Sequence, residues 1–214
     1  MPRLAQFVTI REIGNQKVRI PMSKIFYLMG KSASGKDTIY KKIKETMPEL
    51  KTIVIYTTRP IREGEKEGVE YHFVNDDKLQ EFQKAGKVIE LREYNTVHGV
   101  WKYFTADDGQ FDAEDNYIAI GTLESYKGMR EHLGEEKLVP IYIEVDDGVR
   151  LERALHRERK QAEPKYEEMC RRFLADAADF SVEKLNEAGI TRKFFNTDVE
   201  KCVDEILLGI REKM

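Results

Sequence analysis

Near the start of the chain, a short apolar run leads directly into a loop with glycine close to both ends. The run, Ile-Phe-Tyr-Leu-Met at residues 25–29, has the length of a strand, and the loop reads Gly-Lys-Ser-Ala-Ser-Gly-Lys over residues 30–36. After the loop, Ile39, Ile43 and Met47 recur every four residues, which is the spacing of a buried helix face. The sequence therefore predicts a buried strand, a tight loop and a helix in immediate succession.

A strand, a loop and a helix arranged in this way can bind phosphate. Gly30 and Gly35 let successive backbone N–H groups turn inward on an anion, the helix offers its positive N-terminal end, and Lys36 adds a full charge. We therefore expect a nucleotide to place its phosphates here, the alternative being a glycine-rich surface loop. The candidate phosphate-binding residues are Gly30, Lys31, Ser32, Ala33, Ser34, Gly35, Lys36, Asp37 and Thr38.

The loop departs from the usual phosphate-binding pattern at one position. Ser or Thr normally follows the lysine and places a hydroxyl on Mg²⁺, whereas this chain has Asp37, with Thr38 one residue later. A carboxylate is also a hard oxygen ligand, so Asp37 is a candidate ligand for the same ion. The alternative is that Asp37 only interacts favourably with the positive end of the helix.

The composition excludes several classes of protein. With 214 residues, 41% of them hydrophobic, the chain can bury one core. Its longest apolar stretches, such as residues 141–145, are far shorter than the roughly 20 residues of a membrane-spanning helix, and the N-terminus lacks the apolar core of a secretion signal. Cys170 and Cys202 lack the spacing of a zinc site, which predicts a reduced, cytoplasmic protein. A formal net charge of -3 argues against general binding to nucleic acid.

Strand and helix patterns alternate along most of the chain, which is typical of an α/β fold. Such alternation builds a parallel sheet that helices cover on both faces, with ligands at the carboxyl ends of the strands. Between the second and third core strands, further strand patterns predict a small strand-rich insert. The predicted core strands are residues 25–29, 52–56, 117–120, 139–145 and 193–195, the insert strands are residues 69–74, 88–91 and 100–105, and helices are predicted to begin near residues 36, 77, 122, 146, 165 and 199.

Residues 1–21 carry no clear pattern, and residues 22–24 lead at once into the first core strand. We interpret residues 1–21 as an N-terminal extension, with a small extra strand around residues 17–20 and with Met22 as an alternative start of the chain. The extension takes no part in the functional interpretation.

Residues 57–65, Thr-Thr-Arg-Pro-Ile-Arg-Glu-Gly-Glu, and the Glu-Tyr-His-Phe-Val that follows at residues 70–74 closely resemble the segment of guanylate kinases that binds the GMP phosphate. The resemblance extends from about Lys24 to the C-terminus. It includes the phosphate-binding loop, residues 82–90, a basic segment after residue 150, and Phe-Asn-Thr-Asp at residues 195–198, in the order of the family.

The resemblance implies a fold and an activity. The fold is a P-loop NTPase-type parallel sheet with helices on both faces, within a domain that spans residues 22–214. It carries a nucleoside monophosphate-binding insert over about residues 56–107 and a helical lid over about residues 150–172. The implied activity is transfer of the γ-phosphoryl group of ATP to GMP, with Mg²⁺ as the metal ion.

The family also implies roles for individual residues. Two guanidinium forks and two phenolic donors suit a phosphate dianion. Glu90 would read guanine, because its carboxylate can accept from the N1–H and the exocyclic amino group, which adenine cannot offer together. The implied residues are Arg59, Arg62, Tyr71 and Tyr103 for the GMP phosphate, Glu90 and Thr105 for guanine, Arg157 or Arg159 together with Arg172 for the transferring phosphoryl group, and Asn196 for the ATP adenine.

Several positions depart from the family pattern. Ile120 and Thr122 stand where family members usually carry acidic residues, Ile55 replaces an expected serine, and residues 97–102 are longer than the usual glycine-tyrosine turn. We interpret Asp37 as a carboxylate that replaces the one absent at Ile120 and Thr122 and that supplies oxygen to Mg²⁺ or its bound water. Two alternatives stay open: a kinase for another or a modified nucleoside monophosphate, and a non-catalytic protein-binding module of the same fold.

Overall fold

A parallel sheet runs through the centre of the computed structural model, which describes residues 9–13, 16–20, 23–96, 99–111 and 114–214. For residues 9–13 and 16–20 only the backbone is described below. The strands are β1 (Thr9–Ile13), β2 (Gln16–Ile20), β3 (Ile25–Gly30), β4 (Lys51–Thr52), β5 (Tyr56–Thr57), β6 (His72–Phe73), β7 (Val88–Thr96), β8 (Gly99–Ala106), β9 (Tyr117–Gly121), β10 (Leu138–Glu144) and β11 (Lys193–Phe195). The helices are α1 (Lys36–Thr46), α2 (Asp76–Lys84), α3 (Leu123–Leu133), α4 (Asp147–Glu158), α5 (Tyr166–Asp179), α6 (Val182–Glu187) and α7 (Val199–Arg211).

The central sheet has the order β11-β10-β3-β9-β4, and all four of its described pairings are parallel. Strand β3 lies in the middle and is buried along its whole length, because helices pack on both faces of the sheet. Phe26 and Leu28 point to a layer that contains α1 and α7, whereas Tyr27 and Met29 point to a layer that contains α3 and α6. The structure confirms the predicted fold class.

The register brings the carboxyl ends of three strands together. Gly30 at the end of β3 lies opposite Ile143 on β10, and Met29 lies opposite Gly121 on β9. Because the phosphate-binding loop follows Gly30 directly, the loop opens at this edge of the sheet. Ligands of parallel α/β sheets bind at this edge.

A second sheet lies within the predicted insert. Its order is β6-β5-β8-β7, with a register shift between Val88 and Glu90 where β7 pairs with β8. It has a small core of its own, in which the ring of Tyr56 stacks on Phe104 at 5.0 Å and meets Phe82 edge-on. The insert is therefore a packed unit rather than a loose loop.

The predicted strand at residues 52–56 is wrong as a single element. Residues 51–52 belong to the central sheet, whereas residues 56–57 belong to the second sheet. Between them the Val54 backbone N–H donates to Gln110 Oε1 at 3.1 Å, and Ile55 O accepts from His72 at 2.9 Å. The apolar run is continuous because both sheets bury it, although the chain changes sheets within the run.

Three further expectations were incomplete. The alternating residues 69–74 form a strand only at His72–Phe73, β7 and β8 are longer than predicted, and the sequence interpretation missed α6. Strands β1 and β2 form an antiparallel pair that overlaps the expected strand around residues 17–20. Within the described residues, each helix is too short or too polar to traverse a bilayer.

Shortening a buried side chain of α7 should lower the stability of the central sheet. Ile206 is fully buried, so Ile206→Ala removes apolar contacts and leaves a cavity, and we expect it to lower the free energy of unfolding by about 2–5 kcal/mol. Urea denaturation measures this change. The matched control is Leu208→Ala on the same helix, whose side chain is 56% exposed and which should change the free energy by no more than about 0.5 kcal/mol. Equal losses in the two variants would contradict this packing.

Candidate active site

A cleft of about 1430 Å³ lies between the carboxyl edge of the central sheet, the second sheet and the helices α4 and α5. Each of these elements contributes charged or aromatic side chains to the lining. The lining includes Lys36 and Asp37 from the loop and α1, Arg62, Tyr71, Arg92, Trp101 and Tyr103 from the insert, Thr122 from the end of β9, and Arg157, Arg171, Arg172 and Asp176 from the helices.

The loop conformation requires glycine at both of its glycine positions. A Cβ atom at Gly30 would lie 2.8 Å from the Ile143 carbonyl oxygen. Gly35 has φ of 84°, in the left-handed region, and a Cβ atom there would lie 2.5 Å from Asn196 Nδ2. The loop is therefore fitted tightly between β10 and the residues that follow β11.

Asn196 is buried against the loop. Its side-chain Nδ2 donates to the Ser34 carbonyl oxygen at 2.8 Å, and its backbone N–H donates to Glu144 O at 3.0 Å. Only 4% of the residue is exposed. The predicted contact of Asn196 with adenine stays a prediction, whereas its described side-chain contact holds the loop to the sheet.

A buried arginine and a partly exposed aspartate that the sequence interpretation missed also hold the loop. Arg150 on α4 is 1% exposed, and its Nε donates to the Ser32 carbonyl oxygen at 3.1 Å. Asp176 on α5 accepts from the Ser32 backbone N–H at 2.7 Å and lies 3.6 Å from Arg150 NH2. The spacing of Asp147 and Arg150 at the start of α4 was the available signal, since these side chains pair at 2.7 Å, one helical turn apart.

Lys36 and Asp37 lie at the start of α1 and both line the cleft. Lys36 Nζ is 3.9 Å from an Asp37 carboxylate oxygen, which is a long ion pair, and the Asp37 side chain is 80% exposed. A carboxylate so exposed holds the ammonium group weakly. Lys36 can therefore turn toward an anion in the loop.

Within the part of the chain that the structure describes, no three His, Cys, Asp or Glu side chains converge into a metal site. Mg²⁺ is usually held by one or two carboxylates together with substrate phosphates and water rather than by a cage of protein ligands. The single carboxylate of Asp37 beside a phosphate-binding loop fits that mode of binding.

Three of the four predicted phosphate-holding residues of the insert line the cleft. The ring of Tyr71 meets Tyr103 edge-on at 5.7 Å, and the Arg62 guanidinium lies 5.8 Å from the centre of the Trp101 ring. Aromatic faces of this kind hold an arginine side chain in place without neutralising its charge. The insert therefore contributes two phenol groups and a guanidinium group to the lining of the cleft.

Arg59, the fourth predicted phosphate-holding residue, is buried behind the lining of the cleft. Its guanidinium makes two hydrogen bonds to Glu65, at 2.6 and 2.8 Å, and lies 4.9 Å from the centre of the Tyr71 ring. The Arg59 hydrogen bonds lower the pKa of Glu65 to about 2. Arg59 is 3% exposed, so the structure places it behind Tyr71 with its charge already balanced.

Glu90, the predicted guanine reader, is paired with an arginine that the sequence interpretation did not consider. One carboxylate oxygen accepts from Arg92 Nε at 2.9 Å, and the other accepts from the Thr105 hydroxyl at 2.7 Å. Burial, the largest single influence, lowers the pKa of Arg92, but the charge and hydrogen bonds of Glu90 together with Tyr27 and Tyr94 outweigh it, so the pKa is raised. Glu90 and Arg92 lie two residues apart on β7, a spacing that places side chains on one face of a strand and was readable from the sequence.

The lid arginines divide into two groups. Of the alternatives Arg157 and Arg159, Arg157 lines the cleft, and so does Arg172. Arg171, which the sequence interpretation did not single out, lines it as well. Arg159 instead forms the C-cap of α4. Glu168 accepts hydrogen bonds from both Arg171 and Arg172, and the bond from Arg171 is the main reason that the pKa of Glu168 is lowered to about 2.

The Arg59–Glu65 pair should make stability depend on pH. Because the pKa of Glu65 is lowered from 4.5 to about 2, its ionised form stabilises the folded state above about pH 4.5 and loses this effect as the pH falls toward 2. We expect Glu65→Gln to be less stable than the unsubstituted protein at about pH 7 and equally stable near the lower pKa. Denaturation over this pH range measures the difference.

The control for that experiment is Glu81→Gln, which breaks an exposed pair with Lys78 on α2. This variant should differ little from the unsubstituted protein at any pH. A stability difference for Glu65→Gln that stays constant down to about pH 2 would contradict the pairing.

Comparison with known proteins agrees with this geometry. The sequence profile of the family described as guanylate kinase matches residues 22–102. The guanylate kinase of Frankia casuarinae is 44% identical over 71 residues, which cover 33% of this chain and 38% of that protein. That of Rhodococcus jostii is 33% identical over 88 residues, or 41% of each chain. The matched segment thus spans about two fifths of these relatives.

The likeness in structure extends further than the likeness in sequence. The crystal structure of guanylate kinase from Anaplasma phagocytophilum superposes with a TM-score of 0.59 at 25% identity, covering 90% of this chain and 87% of that one. The shared architecture therefore includes the helices beyond residue 102. The resemblance predicted from the sequence is confirmed.

Proposed function

We propose that this protein, whose sequence and fold both resemble those of guanylate kinases, transfers the γ-phosphoryl group of ATP to a nucleoside monophosphate of the GMP type. One observation supports the proposal: Lys36 and the phosphate-binding loop line the same cleft as Arg62, Tyr71 and Tyr103 of the insert. Two groups of phosphate-binding donors in one cleft suit two nucleotides bound end to end.

ATP would place its phosphates on the loop. The backbone N–H groups and the positive end of α1 bind the phosphate oxygens, and Lys36 follows the charge of the phosphoryl group as it moves. Asn196, Arg150 and Asp176 hold the loop in place from behind. The loop is therefore ordered before ATP arrives, which lowers the entropic cost of binding.

The acceptor would place its phosphate against the insert. Arg62, Tyr71 and Tyr103 would make the first contacts, because they line the cleft, whereas Arg59 does not and its guanidinium is bonded to Glu65. A phosphate carries more charge than a carboxylate and can accept a bidentate guanidinium equally well. Arg59 can therefore exchange one anionic partner for another without becoming unpaired.

Catalysis would consist of positioning and charge neutralisation. Phosphoryl transfer needs no nucleophilic side chain, so the protein holds the two nucleotides in line and neutralises the charge that spreads over the transferring group. Arg157, Arg171 and Arg172 lie on the helices that would close over the cleft. Closure excludes water and so protects ATP from hydrolysis.

Asp37 would hold Mg²⁺. When bound, this ion neutralises negative charge on the ATP phosphates. The carboxylate stands where a hydroxyl is usual, and Ile120 and Thr122 at the end of β9 supply no carboxylate. Asp37 would thus restore the acidic group that the cleft lacks there.

Lys36→Ala should lower kcat by at least about a hundredfold, because it removes a cation that binds the transition state more tightly than the substrates. A coupled assay of ADP release with ATP and GMP measures the loss. The control is Lys41→Ala, which removes the same charge from an exposed position on α1 and should leave kcat unchanged.

Two other results would contradict the mechanism. Normal turnover in Lys36→Ala would show that the loop does not bind the reacting phosphates. Binding of ATP without turnover of any nucleoside monophosphate would indicate a protein-binding module of the same shape.

Replacing Asp37 should change the response to Mg²⁺. We expect Asp37→Ala to raise the Mg²⁺ concentration needed for half-maximal turnover by about tenfold, and Asp37→Ser to raise it less, because serine restores the usual hydroxyl ligand. A titration of turnover against Mg²⁺ at fixed ATP measures both, with the exposed Glu45→Ala on the same helix as control. An unchanged Mg²⁺ requirement in Asp37→Ala would exclude Asp37 as the ligand.

A further inference from the structure

Both oxygens of the carboxylate expected to read guanine already accept hydrogen bonds from the protein itself. Glu90 Oε2 accepts from Arg92 Nε at 2.9 Å, and Glu90 Oε1 accepts from Thr105 at 2.7 Å and from Arg92 NH2 at 3.4 Å. The side chains of Glu90 and Arg92 are each 6% exposed. A buried bidentate pair of this kind is costly to open, because either partner would be left unpaired.

The second position that could accept from the base is occupied in the same way. Thr122 Oγ1 accepts from Arg92 NH1 at 3.3 Å and from the Ser125 backbone N–H at 3.2 Å, the latter as the N-cap of α3. A hydroxyl oxygen has two lone pairs, and both are used. One guanidinium therefore engages both of the side chains that could accept from the base.

Arg92 also stands between Glu90 and the cleft. Arg92 and Thr122 line the cleft, whereas Glu90 lines a separate cavity of about 470 Å³ on the side of α3, where Gly128 lets the helix approach the strand closely. Arg92 lines both. A substrate in the cleft thus meets a guanidinium before it meets the carboxylate. The pocket offers hydrogen-bond donors where a guanine reader would offer acceptors.

We infer that Arg92 is the residue that determines acceptor specificity, and that it selects 6-oxopurine monophosphates by their carbonyl oxygen rather than by the 2-amino group. This inference rests on the proposed kinase function and names its substrate class. Guanine and hypoxanthine both present O6 and N7 as acceptors, whereas adenine presents an amino group at position 6 that would face the guanidinium donor to donor. GMP and IMP are therefore both acceptors, and AMP is not.

The ratio of kcat/KM values for GMP, IMP and AMP tests this inference in the full-length protein. In the unsubstituted protein we expect IMP to lie within about tenfold of GMP, and AMP to lie at least about a hundredfold below GMP. Arg92→Ala frees the Glu90 carboxylate to accept from the 2-amino group, which IMP lacks. The preference for GMP over IMP should then rise by at least about tenfold.

A second variant, Glu90→Gln, should leave the preference for GMP over IMP unchanged, and it tests the inference even if Arg92→Ala does not fold. A Glu90 that acts only by holding Arg92 makes this variant lose GMP and IMP turnover by the same factor, so that their ratio is unchanged. A Glu90 that reads guanine makes it lose GMP selectively. The matched control is Arg192→Ala, which breaks an exposed pair with Glu205 and should leave all three kcat/KM values unchanged.

Different results would contradict the role of Arg92 and the kinase function. A preference for GMP over IMP of about a hundredfold or more in the unsubstituted protein, or a selective loss of GMP in Glu90→Gln, would overturn the role of Arg92 and leave the kinase function standing. No turnover of any of the three acceptors by the unsubstituted protein would overturn the kinase function and this inference with it.

Discussion

The tight passage from β3 into α1 is the constraint on which the rest of the structure depends. For backbone N–H groups to face an anion there, the chain must turn through Gly30 and Gly35 in a space that no other residue fits. The loop gains little stability by itself, so Asn196, Arg150 and Asp176 hold it from three other elements. The burial of β3 between two helical layers fixes where the loop begins.

Most of the arginines in and around the cleft are paired with a carboxylate. Arg59 pairs with Glu65, Arg92 with Glu90, Arg150 with Asp176, and Arg171 and Arg172 share Glu168. The buried pairs keep their geometry because separating them would leave a charge unpaired, whereas the exposed pair with Glu168 contributes little and is easily exchanged. The arginines on the lid and on the rim of the insert therefore accept a new anion most readily. Arg59 can exchange its partner because Glu65 is partly exposed, whereas the buried pair of Arg92 and Glu90 shapes the pocket.

Local sequence patterns were enough to predict most of the fold and part of the candidate active site. The strand, loop and helix around Lys36 were readable because their signals are adjacent in the sequence, and Tyr71 and Tyr103 were readable through the family resemblance. The split of residues 52–56 between two sheets was not readable, since burial in either sheet gives the same apolar run. The contact of Asn196 with Ser34 spans 162 residues, and no local pattern encodes it. The pairing of Glu90 with Arg92 had a local signal, but its consequence depends on which side of β7 faces the cleft.

The proposed function requires one cleft to hold two nucleotides end to end. The most direct test is a crystal structure with a bisubstrate analogue in which adenosine and guanosine are joined by a chain of phosphates. We expect the phosphate chain to run from the loop at Lys36 to Arg62, Tyr71 and Tyr103, with the lid arginines closed over it and the purine carbonyl oxygen at Arg92. An analogue bound with either end outside the cleft, or with these side chains turned away from the phosphates, would contradict it.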